Sequence, residues 1–197
     1  MRLILKIAYF ANLLLCFGVF CGQALSAAAV NSPAEEGPSI IAARIDGNAP
    51  KLDGILDDRA WRNAAVATNF VQMRPVEGAM PTETTKVYVL FGEGALYVGF
   101  RAYDSDPNGV IAQLTRRDEY SHSDSVYVAI DSLNDGRTAF QFAVNPVGVK
   151  RDLYRYDDTD EDSDWDAVWD VAARIDDQGW SAEFRIPYSQ LRFNVNE

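Results

Sequence analysis

An antiparallel β-sandwich with one or two short helices is the fold this sequence predicts, and three observations predict it. Several segments of five to eight residues alternate apolar and polar side chains, the period of a half-buried strand. Turn signals rich in Gly, Asn and Asp recur about every ten residues, the spacing of an all-β sandwich. No internal repeat, heptad or βαβ alternation competes with that reading.

The 197 residues divide into three parts. Residues 1–28 have the form of a signal peptide. Arg2 and Lys6 are a basic start, residues 7–20 are apolar, and residues 24–29 are small enough for cleavage. The apolar run is shorter than the roughly 20 residues a spanning helix needs. Residues 29–39 are polar with two prolines and read as a linker. Residues 40–197 form the domain. Both cysteines, Cys16 and Cys21, lie in the leader, so the domain must depend on its core and not on disulfides. Export to the periplasm, the cell surface or the medium is the expectation.

The chain carries 18 basic and 29 acidic residues, a net charge of −11. Loss of Arg2 and Lys6 with the leader leaves 16 basic residues against 29 acidic, or −13. Such a balance argues against nucleic acid, which requires basic patches.

Within the domain, residues 40–45 suit an edge strand. Asp57 is placed to cap a short helix over 58–64, with Trp61 one turn in as a plug at the end of the sandwich. Residues 69–85 read as a loop. Strands over 86–91 and 96–103 make a hairpin about Glu93-Gly94, and 125–131 and 139–145 make another about Asn134–Arg137. A third hairpin joins 169–175 to 180–186. Phe140, Phe142 and Val144 share the inward face, with Gln141 outward.

The stretch 116–193 gathers the candidate binding residues. Trp165 stands inside the acidic run 157–166, where charged neighbours on both sides argue for exposure, while Trp169 opens an apolar strand face. An exposed indole can cover the apolar face of a pyranose while carboxylates, amides and arginines bond its hydroxyls. The alternative for Trp165 is a rim or local packing role. Arg117, Asp118, Asn145 and Asp152 stand at strand ends where they can converge, and Tyr154 completes the candidate set. Each has the alternative of an ordinary solvated strand end. Asp158, Asp160 and Asp162 imitate the first ligands of an EF-hand, but Ser163 replaces the required Gly and Trp169 stands where the bidentate Glu belongs. A looser Ca²⁺ site fed by Asp104, Asp106 and Asp124 competes with a solvated acidic surface. His122 is the only histidine, which removes a zinc cluster or a histidine-based triad.

The ordered set LDGILDDRAW, LYVGFRAYDSDP, TRRDEY, SVYVAIDSLNDGRTAFQFAVNPVG, DWDAVWDVAARI and GWSAEFRIPYSQLRF resembles the family 9 carbohydrate-binding modules. It is most similar to the subgroup at the N-terminus of large exported bacterial proteins, which often continue into an outer-membrane barrel region. The resemblance spans residues 45–193. It implies a β-sandwich that binds glycan in carbohydrate catabolism, sometimes with Ca²⁺, and more chain beyond Glu197. Two Trp rings sandwich a terminal sugar in the founding members. Trp165 suits that role, whereas Trp61, Trp169 and Trp180 read as core. The expected function is therefore a non-catalytic carbohydrate-binding domain, any hydrolase activity residing in an attached domain. The alternatives are a structural or interaction cap on an outer-membrane β-barrel and a hydrolase of O-glycosyl bonds.

Overall fold

The computed structural model describes residues 40–157 and 160–193. The leader, the linker, residues 158–159 and the last four residues lie outside them. Ten strands occur in order: β1 (Ala43–Arg44), β2 (Ala65–Ala67), β3 (Thr85–Phe91), β4 (Ala95–Tyr103), β5 (Val126–Ile130), β6 (Ala139–Val144), β7 (Lys150–Tyr156), β8 (Asp160–Asp162), β9 (Asp170–Asp176) and β10 (Gly179–Pro187). They form two sheets. The larger runs β1-β3-β4-β10-β9, with β2 sharing an edge of β3 with β1, and the smaller runs β5-β6-β7-β8. All described pairings are antiparallel except β1 with β3.

The inner faces follow the predicted alternation. Phe140, Phe142 and Val144 of β6 are buried, as are Val126, Val128 and Ile130 of β5. They meet Val98, Phe100, Ala182, Phe184 and Ile186 from the larger sheet in one core. Trp169 seals the joint between the layers. Its ring stacks on Phe184 at 5.4 Å and takes the edge of Phe142 at 5.4 Å. Burial of such rings is the main favourable term holding the layers together.

Three strands, β2, β7 and β8, were not legible in the sequence. Residues 150–156 form β7, where only a turn and a charged strand end were expected. The inward positions of β7 are Lys150, Asp152, Tyr154 and Tyr156, opposite Val144, Phe142 and Phe140 along β6. A polar inner face conceals the alternation. The acidic stretch 160–162 is β8, an edge strand rather than a loop. It is exposed throughout and exists because β7 offers it hydrogen-bonding groups. The short β2 falls just ahead of the expected loop 69–85.

Trp61 is buried as expected, but not at the end of the sandwich. It lies in a 3-10 helix (Arg59–Asn63), packed on the outer face of the larger sheet with Ala60, Leu90 and Tyr97. Gly99 makes this possible. A Cβ there would stand 3.3 Å from the Trp61 ring and 2.6 Å from Leu56 Cδ2. The helix is 3-10 and not α, its cap position is Asp58 and not Asp57, and no side chain caps it.

Glu183 anchors this strap. Its carboxylate is fully buried, accepting from Trp61 Nε1 at 2.7 Å and from the backbone N–H of Asp53 and Gly54 at 2.9 and 2.8 Å. Ser181 Oγ donates to Gly54 O at 2.6 Å. Burial pushes the Glu183 carboxyl above the ordinary glutamate range, and those three hydrogen bonds pull it back. The residues of LDG and AW near the start of the domain thus meet GWSAE near its end.

Candidate functional site

The structure separates the candidate residues into three groups. Arg117, Asp118 and Asp152 come together where the turn at 116–119 and the segment entering β9 meet β7, joined by Asp166, which the sequence did not single out. Arg117 Nη2 lies 2.6 Å from Asp152 Oδ1 and 2.5 Å from Asp166 Oδ1, and its Nε lies 3.3 Å from Asp118 Oδ2. Nη2 also donates to Ala167 O at 2.7 Å. Asp152 is buried and accepts further bonds from Ala167 N at 2.6 Å and Trp169 Nε1 at 3.1 Å. Asp118, in the left-handed region at φ 64°, accepts from Asp152 N at 3.0 Å. Burial raises the Asp118 carboxyl above the usual aspartate range, although the Asp152 amide and Arg117 oppose that shift. This knot ties residues 116–119 to β7 and to the segment entering β9.

Asn145 stands apart from that knot. Its Oδ1 accepts from Val147 N at 3.2 Å and Val149 N at 2.9 Å, closing the turn into β7. Its Nδ2 donates to Gln113 O at 2.8 Å. These bonds fasten the 110–125 segment to the smaller sheet.

Trp165 and Tyr154 form the third group. Trp165 is half-buried, not the exposed ring the acidic neighbours suggested. It rests on Phe140 at 5.0 Å and on Phe142 at 5.8 Å. The Asp166 carboxylate turns to Arg117 while the indole closes over the β6 phenylalanines. Tyr154 also packs on Phe140, at 5.1 Å. Tyr156, which the sequence reading passed over, stacks on Tyr154 at 6.1 Å with ring planes 20° apart and is 36% exposed. The signal for it was its position two residues after Tyr154, which places both rings on one face once β7 is recognised as a strand. The result is a row of rings, Trp165, Phe140, Tyr154 and Tyr156, leading from the core to the surface. Cross-strand pairing places Asp162 beside Tyr154 and Asp160 beside Tyr156 on that same face.

The weak Ca²⁺ candidates serve local turns. Asp104 Oδ1 accepts from Asp106 N at 2.8 Å, and Asp124 Oδ2 accepts from Ile111 N at 2.9 Å. Among the described residues, the carboxylates gathered as a metal ion would need them are Asp118, Asp152 and Asp166, within 4.8 Å of one another. They do not fit a divalent ion, because the Arg117 guanidinium already supplies the positive charge among them. His122 is exposed in its loop, as expected, with Tyr120 edge-on at 5.4 Å.

No family model and no curated protein matches this chain. The fold is a β-sandwich similar to that of solved family 9 carbohydrate-binding modules. One is the family 9 module from Caldicellulosiruptor kristjanssonii in complex with glucose, at a TM-score of 0.51 and 18% identity, covering 78% of this chain and 71% of that one. A second structure of such a module from the same organism, in complex with cellotriose, gives 0.50 and 18%, covering 78% and 70%. At that identity the likeness is one of architecture.

Proposed function

We propose that this chain is an exported, non-catalytic carbohydrate-binding domain that takes part in carbohydrate catabolism. The observation that carries the reading is the row of rings that ends in Tyr154 and Tyr156 on β7. Tyr156 presents an open ring beside Asp160 and Asp162, with Tyr154 and Trp165 behind it. A pyranose stacks its C–H face on such a ring while carboxylates accept from its hydroxyls. The architectural likeness to modules solved with glucose and cellotriose supports the same reading. Trp165 and Tyr154 back the platform, and the Arg117 knot holds the loops on either side of β7 in place. The first 28 residues direct export to the periplasm, cell surface or medium, and the domain stands at the N-terminus of a longer protein with an outer-membrane barrel region.

Calorimetry and ligand-observed NMR against glucans, xylans and their short oligosaccharides test the binding. Dissociation constants on the order of micromolar to millimolar are expected. Tyr156→Ala should weaken binding by about tenfold or more while leaving the melting transition nearly unchanged, since its ring adds little to the core. Trp165→Ala should weaken binding and also destabilise the fold, because it uncovers Phe140 and Phe142. A full panel without binding would sink the reading.

A second reading has one observation in its favour. Arg117, Asp118, Asp152 and Asn145, the polar candidates, are all engaged within the chain. That suits an interaction or cap domain that keeps the sandwich for its shape, and it is the account left standing if no glycan binds.

Export has its own measurement. Mass spectrometry of the mature protein should place the N-terminus between residues 27 and 30. A mature chain that still begins at Met1 would contradict the export claim.

A further inference from the structure

We propose that the tyrosine face of β7 and β8 selects glycans bearing protonated amino groups, of the glucosamine type, over neutral glycans and over uronic-acid glycans. The proposal rests on the carbohydrate-binding reading and names the substrate class of that same face.

The charge on the two sides of this sheet edge is unequal. Residues directly opposite in an antiparallel pair project to the same side with Cβ atoms about 5 Å apart. The register sets Asp162 opposite Tyr154 and Asp160 opposite Tyr156. Both aspartates are exposed, and both stand on the side that carries the rings. Glu161 alternates to the other side, opposite Arg155. There Arg151 and Arg155 approach it at 3.5 and 3.6 Å, and Arg155 Nε also donates to Gln141 Oε1 at 2.9 Å. The β7 arginines therefore pair with Glu161 on the back of the hairpin. On the ring side Lys150 and Arg117 are engaged further along the strand by Trp169 O and Asp152, which leaves the end at Tyr154 and Tyr156 to Asp160 and Asp162. At the hairpin's end, Arg137 is paired with Asp157 at 2.8 Å. Asp162 Oδ1 also accepts from Asp164 N–H at 2.9 Å.

An aromatic face bordered by carboxylates attracts a cation in two ways. The ring quadrupole favours positive charge over its face. The adjacent carboxylates add Coulomb attraction for an ammonium and repulsion for a uronate. A neutral glucose unit gains from stacking and from hydroxyl hydrogen bonds to the carboxylates, but from neither charge interaction. An aminated unit of the same shape adds both charge interactions.

The test compares three probes by calorimetry at low ionic strength and at a pH where the amine is protonated. They are a glucosamine trisaccharide, cellotriose and a galacturonic acid trisaccharide. The glucosamine probe should bind roughly fivefold to tenfold tighter than cellotriose, with the uronate weakest. That preference should shrink at about 1 M salt, where the screening length falls to roughly 3 Å. The double variant Asp160→Asn, Asp162→Asn keeps the size of both side chains and should bring the glucosamine and cellotriose affinities together. Equal affinities for the two in the unmodified protein, or a preference untouched by the double variant, would overturn the proposal while leaving carbohydrate binding intact. Binding of none of the three, nor of any neutral glycan in the wider panel, would remove this proposal together with the reading it rests on.

Discussion

Truncation of Phe142 to alanine is expected to destabilise the domain by about 3–5 kcal/mol. The side chain has no exposed surface. It lies on β6, in the middle strands of the smaller sheet, and presents edges to Trp169 at 5.4 Å and Trp165 at 5.8 Å. Alanine would leave a cavity between two indoles and the facing sheet, and large rings do not collapse into such a space without leaving their rotamers. The control is the neighbouring Gln141. It points to the outer face as the alternation predicts, yet it is 6% exposed and accepts from Arg155 Nε. Gln141→Ala should therefore cost about 1 kcal/mol, the net contribution of one hydrogen bond, and not the negligible cost of an open surface site. Urea titration at constant m-value measures both changes. Equal costs at the two positions would refute the register, because a one-residue slip exchanges the faces.

Glu183→Ala is the second large effect, expected to cost about 3–5 kcal/mol. It strands three donors in a buried place: Trp61 Nε1 and the amides of Asp53 and Gly54. Each unsatisfied buried donor costs about 1–3 kcal/mol, and water entering the space recovers part of the sum. The melting transition and proteolysis within residues 50–65 should report the loss together, since the strap is held at this point. A variant that melts within a degree or two of the unmodified protein would show that the strap is held by apolar contact alone.

The sign of the pH dependence follows from the same residue. Burial holds the folded-state pKa of Glu183 above its unfolded value. The folded chain then binds this proton more tightly than the unfolded chain does. Taken alone, the group's contribution is fully present below the ordinary glutamate pKa. It is lost as pH rises through the raised value. Relative to Glu183→Gln, which cannot titrate, the unmodified protein should lose stability across that window. A difference that grows with pH instead would mean that the three hydrogen bonds to the ionised form outweigh desolvation.

How much was legible depended on which faces were apolar. β5 alternates because core lies on one side and the other side is open. In β3, β4, β6 and β10 the inward positions are apolar while outward ones such as Lys86, Gly99, Gln141, Ser181 and Glu183 are not, so the inward faces could be read without coordinates. Where both sides are covered the alternation blurs. Leu90 and Tyr97 are buried on the outer face because the Trp61 strap lies over them. Where an inner position is polar, the pattern vanishes. Asp152 is buried on β7 only because Arg117, Ala167 and Trp169 supply its partners from 15 to 35 residues away in sequence.

The candidate site shows the same division. The sequence marked Arg117, Asp118 and Asp152 as able to converge, and they do, through bonds that occupy them within the chain. It marked Trp165 by its charged neighbours, but whether an indole among aspartates points to water depends on what lies beneath it. Phe140 and Phe142 lie beneath it, and dispersion and burial draw the ring down. Tyr156 became a candidate only once β7 was a strand, because two-residue spacing implies a shared face only in extended backbone.

By itself, then, the sequence determined the fold class, three hairpins, the inward faces of five strands and the burial of Trp61, Trp169 and Trp180. Those are consequences of period and turn chemistry, which act between near neighbours. The tertiary structure alone decided the placement of Trp61 over Gly99, the Glu183 anchor, the pairing that creates β8 and the row of rings ending at Tyr156. The first two join groups far apart in the chain, which no local pattern encodes. β8 and the ring of Tyr156 lie close in sequence to their partners but depend on β7, whose polar inner face conceals the strand.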